Sequence, residues 1–245
     1  MITTLIGIDC ATQAKNIGLA CGSFENGKAQ INEVTIGSND IALVDTIVEW
    51  TKRCEFTLIA LDAPLGWPIT LGQELCNHMA GKPIQTEPNN LFRRKTDQVV
   101  KREIGKLPLD VGADRIARTA HAALSLLKEI REKTGEAIPL AWKPIQPPGA
   151  YAIEVYPAAT LHAHAIKFSS YKGKERIKSR RNLVKRLKEH IALPYDTSLM
   201  ENNDDALDAA LCVLAGADFL SGEVIEPIDT DMALREGWIW VRKPN

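Results

Sequence analysis

Apolar residues recur along the chain in distinct rhythms. Residues 4–9, 17–22 and 31–36 are short apolar or alternating runs, separated by turn signals such as Glu25-Asn26-Gly27-Lys28. That pattern predicts three strands joined by tight turns, an antiparallel meander. Residues 41–54 instead place Ile41, Val44, Ile47 and Val48 at helical spacing, and residues 56–61 form an unbroken apolar run that stops at Asp62. An unbroken run predicts a parallel strand buried on both faces, because a strand with one wet face would alternate. At residues 114–133, Ile116, Ala120, Ala123, Leu124, Leu127 and Ile130 share one helical face ahead of Gly135, the pattern of an amphipathic helix with a glycine stop.

A Pro-rich turn at 144–149 leads into residues 151–156, which read as a further strand closed by Pro157, while 175–190 and 204–220 read as helices. A meander followed by alternating helix and parallel strand predicts an α/β fold, a mixed sheet covered on both faces. Between 63 and 113 the periodicity fades among Pro and Gly residues. This segment is expected to be an insertion of loops and short helices in one domain spanning 1–245, and long loops are where function concentrates.

Composition narrows the partners more than the fold. With 45% hydrophobic and 25% charged residues and a net charge of -1, the chain matches an ordinary globular protein with no global pull toward a polyanion. The longest apolar stretch, 206–220, is interrupted by Asp208 and Asp218 and is too short to span a bilayer. No basic leader precedes the first strand, so a cytoplasmic protein without a membrane partner is expected. Five cysteines scattered singly, with no C-x-x-C pair, point away from disulfides and thiolate zinc sites. His162 and His164 lack a third ligand and do not make a zinc site.

Acidic residues carry the candidate chemistry. Asp9 and Asp62 each close an apolar run, Glu154 lies in the predicted fifth strand, and Asp205 and Asp208 share a face at the start of the last helix. A turn or helix-cap role explains any one of them, Asp204 and Asp205 best of all. Several carboxylates aimed at strand ends are a different matter, since burying one costs several kcal/mol unless it is paired or bound to a cation. Oxygen ligands without thiolate favour Mg²⁺ or Mn²⁺. Two such ions, about 3.5 to 4 Å apart, would account for the number of acids and suit phosphodiester hydrolysis.

Basic residues are concentrated locally. Residues 171–190 hold nine Lys or Arg against Glu175 and Glu189, a balance near +7 that leaves about -8 elsewhere. Lys172, Lys174, Arg180 and Arg181 there, with Arg93, Arg94 and Lys95, are candidate contacts to substrate phosphates. The blander reading is a solvated helix face, and Ile177, Leu183, Val184 and Leu187 show that this helix also packs.

Four segments together, Gly7-Ile8-Asp9-Cys10-Ala11, Leu61-Asp62-Ala63-Pro64-Leu65-Gly66, Glu154-Val155-Tyr156-Pro157 and Asp204-Asp205-Ala206-Leu207-Asp208-Ala209, resemble a family of predicted RNase H-like nucleases, DUF429. Arg94-Lys95-Thr96-Asp97 and the closing Glu236-Gly237-Trp238-Ile239-Trp240 fit the same pattern. The resemblance implies a ribonuclease-H-like mixed five-stranded sheet and a metal-dependent nuclease acting on nucleic acid, DNA or RNA. It implies that Asp9, Asp62, Asp205 and Asp208 hold the metals, with Glu154 an additional catalytic residue. A fold hosts unrelated functions, so two rivals stay open: a non-catalytic nucleic-acid or metal-binding module, and an actin- or sugar-kinase-like phosphotransferase.

Overall fold

The computed structural model describes residues 2–38, 43–112, 114–144, 148–168 and 170–244. Its elements in chain order are β1 (Thr3–Asp9), β2 (Gly18–Glu25), β3 (Lys28–Ile36), α1 (Leu43–Thr51), β4 (Phe56–Asp62), α2 (Ile69–Leu75), α3 (Pro88–Phe92) and α4 (Lys95–Ile104). There follow α5 (Asp114–Thr134), β5 (Gly149–Glu154), α6 (Pro157–Ala163), α7 (Ile177–Leu187), α8 (Ser198–Asn202), α9 (Asp204–Leu220) and α10 (Thr230–Glu236).

The five strands form one mixed sheet in the order β3-β2-β1-β4-β5. The first three pair as an antiparallel meander, whereas β4 and β5 run parallel to β1. This is the ribonuclease-H-like architecture expected. Successive side chains of the central strands point to opposite faces, and both faces are dry. Leu5, Leu58, Ala60 and Ile153 pack with α9 and α7 on one side, while Ile6, Ile8, Ile59 and Leu61 meet α1 and α5 on the other. Double coverage is why β1 and β4 read as continuous apolar runs.

Helix α9 is buried all along Ala206 to Phe219, as an all-round apolar helix must be. Its seat depends on Gly7, where an added Cβ would lie 2.1 Å from the Ala209 carbonyl oxygen. Helix backbone therefore rests directly on β1. Gly7→Ala is expected to push α9 off the sheet at a cost of about 2–3 kcal/mol, measured as a lower urea midpoint; an unchanged midpoint would show that the helix yields freely.

The structure departs from the sequence expectations at several ends. Asn203, not Asp204, caps α9, its side-chain oxygen accepting from Ala206 N at 2.9 Å. Pro157 opens α6 rather than merely closing a strand, the position where its missing N–H costs nothing. Helices α6, α8 and α10 had no periodic signature because each is two turns or fewer. The described part of the 63–113 segment, residues 63–112, forms loops and the short helices α2, α3 and α4. Ile41 and residues 145–147 of the Pro-rich turn lie outside the described residues. Among the described residues no helix is long and apolar enough to cross a membrane.

Candidate metal centre

Two neighbouring parallel strands end on carboxylates. Asp9 and Asp62 are register partners at the carboxyl ends of β1 and β4, the edge of an open α/β sheet where ligands bind. Because Gly7 lets α9 lie against β1, the N-terminal part of that helix brings Asp208 to the same edge. Carboxylate oxygens of Asp9, Asp62 and Asp208 all lie within 4.8 Å of one another. Asp9 and Asp62 border a cavity of about 650 Å³ whose lining also includes Tyr156, Phe168, Tyr171 and Lys172, with Lys106 and Leu109 from the 63–113 segment; Asp208 itself is buried.

Three acids so close resist ionisation. Burial first, then the charges of Asp208 and Asp62, raise the Asp9 carboxyl well above its ordinary range. Burial and Asp208 push Asp62 up to about 7. Asp208 is also raised, by burial, although Lys172 and Tyr171 pull the other way. Its Oδ1 accepts the Tyr171 hydroxyl at 2.6 Å. Its Oδ2 is ion-paired with Lys172 Nζ at 2.7 Å. Three converging carboxylates set against one mostly exposed lysine fit a hard divalent cation.

Lys172 is the nearest thing to that cation within the chain. Burial works against its charge, but Asp208 and Asp62 outweigh it and raise the ammonium pKa. Lys172→Met is expected to tighten Mn²⁺ binding about three- to tenfold, a modest gain because the side chain is 61% exposed and screened. Titration calorimetry checks this, and weaker binding in the variant would give Lys172 a supporting role instead.

The other expected site residues fall into different places. Asp205, in the first turn of α9, lies outside the three-carboxylate group. Glu154 lines the cavity but is turned to Arg94, whose guanidinium donates to it at 2.6 and 2.8 Å. Glu154 also accepts from Leu65 N at 2.9 Å. It thereby ties the turn after Asp62 to β5, a positioning task rather than ligation. Arg94 is corrected from a phosphate contact to a buried ion-pair hub: it is 1% exposed and its remaining donors go to Asp97 and the Glu236 carbonyl.

Arg180 is corrected likewise. It is fully buried and donates to the carbonyls of Tyr171, Gly173, Glu201 and Asn202, clamping the segment that carries Tyr171 and Lys172. Arg93 pairs with Asp110 and Arg181 with Glu201, while Lys95 and Lys174 are exposed away from the cavity lining. Lys172 alone of the predicted phosphate contacts offers an accessible cation to the cavity. Burial, with the charges of Asp9 and Asp62, raises the Cys10 thiol, consistent with no catalytic role. Tyr171 was not foreseen, since nothing in its spacing marks a tyrosine that reaches a carboxylate 37 residues on.

The sequence pattern of one protein family matches residues 7–232. The chain belongs to that family, described as Protein of unknown function (DUF429). No curated protein matches the chain. Among solved structures it is similar to T. thermophilus RuvC in complex with Holliday junction substrate, at 10% identity and a TM-score of 0.38, over 90% of this chain and 96% of that one.

Within the DUF429 span lie all three converging acids and the Arg94-to-Asp97 motif, which forms the first turn of α4. The closing Glu236–Trp240 motif follows the matched residues and has a physical reason of its own. Gly237 has φ +83°, and a Cβ there would meet Glu154 Oε2 at 3.0 Å. Beyond it Trp240 N donates to the Glu154 carbonyl and Ile239 N to Thr96 Oγ1. The closing segment thus seals the back of the Arg94 hub.

Proposed function

We propose that this chain is a metal-dependent hydrolase of nucleic-acid phosphodiesters, with Asp9, Asp62 and Asp208 holding Mg²⁺ or Mn²⁺. The observation that carries it is the convergence of three carboxylates at the open edge of the sheet. When bound, the metal would lower the pKa of water and neutralise charge on the phosphoryl group.

The chain's own residues supply the rest. Tyr171 fixes the orientation of Asp208 through Oδ1, and Oδ2, paired with Lys172 in the metal-free protein, would become a ligand when that lysine moves away. Lys172, mostly exposed, is placed to contact a non-bridging phosphate oxygen. The Arg94, Asp97 and Glu154 hub, one guanidinium between two carboxylates, holds the Asp62 turn. Residues 1–245 act as one domain in this reading, the 63–113 insertion closing the cavity with Lys106, Pro108 and Leu109.

Incubation with labelled single-stranded, duplex, hybrid and branched oligonucleotides in Mg²⁺ or Mn²⁺ tests the proposal. Cleavage by the native chain and its abolition in Asp9→Asn is the expected result. Lys172 on Asp208 favours one second reading, a nucleic-acid-binding module without turnover. Metal-independent binding with no cleavage by the native chain would select that reading.

A further inference from the structure

A second cavity, of about 530 Å³, lies over α7 and is bordered by Lys167, Phe168, Asn182, Leu183, Lys185 and Arg186. Phe168 borders this groove and the acidic cavity alike. Its ring is held by edge-on packing against Tyr171 and His162, with centroids 5.7 and 5.3 Å away. Tyr171 in turn bonds Asp208, so the aromatic wall and the acid cluster are one connected construction.

The charges of the groove differ from those of the cavity. Lys172 and Arg181 have carboxylate partners and Arg180 is consumed internally. Among the described residues Lys167, Lys185 and Arg186 form no ion pair, and all three are exposed. On a chain of net charge -1, three free cations beside an aromatic ring are a local match for a phosphate backbone with accessible base faces.

We propose that single-stranded nucleic acid follows a path from the acidic cavity across Phe168, on which one base stacks, into the α7 groove, where Lys167, Lys185 and Arg186 meet successive phosphates. The end of this path at the acids rests on the hydrolase reading above; the groove and its ring do not. A duplex fits poorly, since its paired bases present no free face to Phe168 and its stiffness resists bending over one residue between two cavities.

Fluorescence anisotropy with a labelled oligothymidylate of about 15 nucleotides, in Ca²⁺ and over a series of KCl concentrations, tests the path. The single strand should bind more tightly than a duplex of the same length. Phe168→Ala should weaken binding about tenfold and Phe168→Trp should restore it. The Lys185→Ala/Arg186→Ala pair should reduce the slope of log K against log salt by about 1.4, while Lys128→Ala on α5 leaves it unchanged. Native affinity and slope in the groove variants, or equally tight duplex binding, would overturn the proposal. Binding by this path without cleavage of any substrate would remove the hydrolase reading and leave the path standing; Asp9-dependent cleavage in fully active groove variants would do the reverse.

Discussion

Replacing Arg94 by methionine is expected to cost about 3–5 kcal/mol of stability, a large part of what a domain of this kind possesses. The guanidinium is 1% exposed, and so are its partners to within a few per cent: Asp97 at 0% and Glu154 at 3%. Methionine fills much of the volume but leaves two carboxylates buried without a counter-charge. Glu154 is already raised by burial against the pull of Arg94, so losing Arg94 drives it toward protonation and frees its hold on Leu65. The metal site should suffer with the fold, because that turn carries Asp62. Urea unfolding at pH 7 reads the first effect and Mn²⁺ titration the second. Adding Glu154→Gln and Asp97→Asn should recover a substantial share of the stability. A loss below about 1 kcal/mol would mean that water reaches the hub.

Asp62→Asn should act in the opposite direction. In the metal-free protein the Asp62 carboxyl titrates near 7 instead of its ordinary 3.8, so the folded state holds a proton more firmly than the unfolded chain does. Stability from this group is therefore fully present below pH 4 and is lost as pH rises through about 7. Native protein without metal should weaken by about 2–4 kcal/mol across that window. The asparagine variant lacks this loss, so it should be the more stable of the two at pH 8 and show little advantage at pH 4.5. Divalent metal reverses the order at pH 8, raising the native melting temperature through preferential binding to the folded state. Parallel stability curves for the two proteins between pH 4.5 and 8 would show that Asp62 ionises freely, without strain from Asp9 and Asp208.

Both effects come from long-range pairing, which separates what the sequence discloses from what it does not. Strands β1 and β4 were legible because burial on both faces leaves a continuous apolar run, and each run stops at the acid it delivers. Helix α9 was legible to the residue, since its small apolar residues permit the close approach at Gly7. Asp208 followed from those two facts. The partner of Glu154 did not, because Arg94 is 60 residues away and an ion pair leaves no periodic trace. Arg180 was lost among eight other cations of residues 171–190, where composition cannot separate the one arginine that turns inward to cap carbonyls. Phe168 gave no signal either; an isolated aromatic in a loop acquires meaning only when α7 is placed beside it.

The most direct measurement is anomalous scattering from crystals of the native protein grown with Mn²⁺. The expected result is a peak coordinated by Asp9, Asp62 and Asp208, with Lys172 withdrawn from Asp208 Oδ2. Diffraction showing Lys172 still on that oxygen and no manganese among the three carboxylates would contradict it.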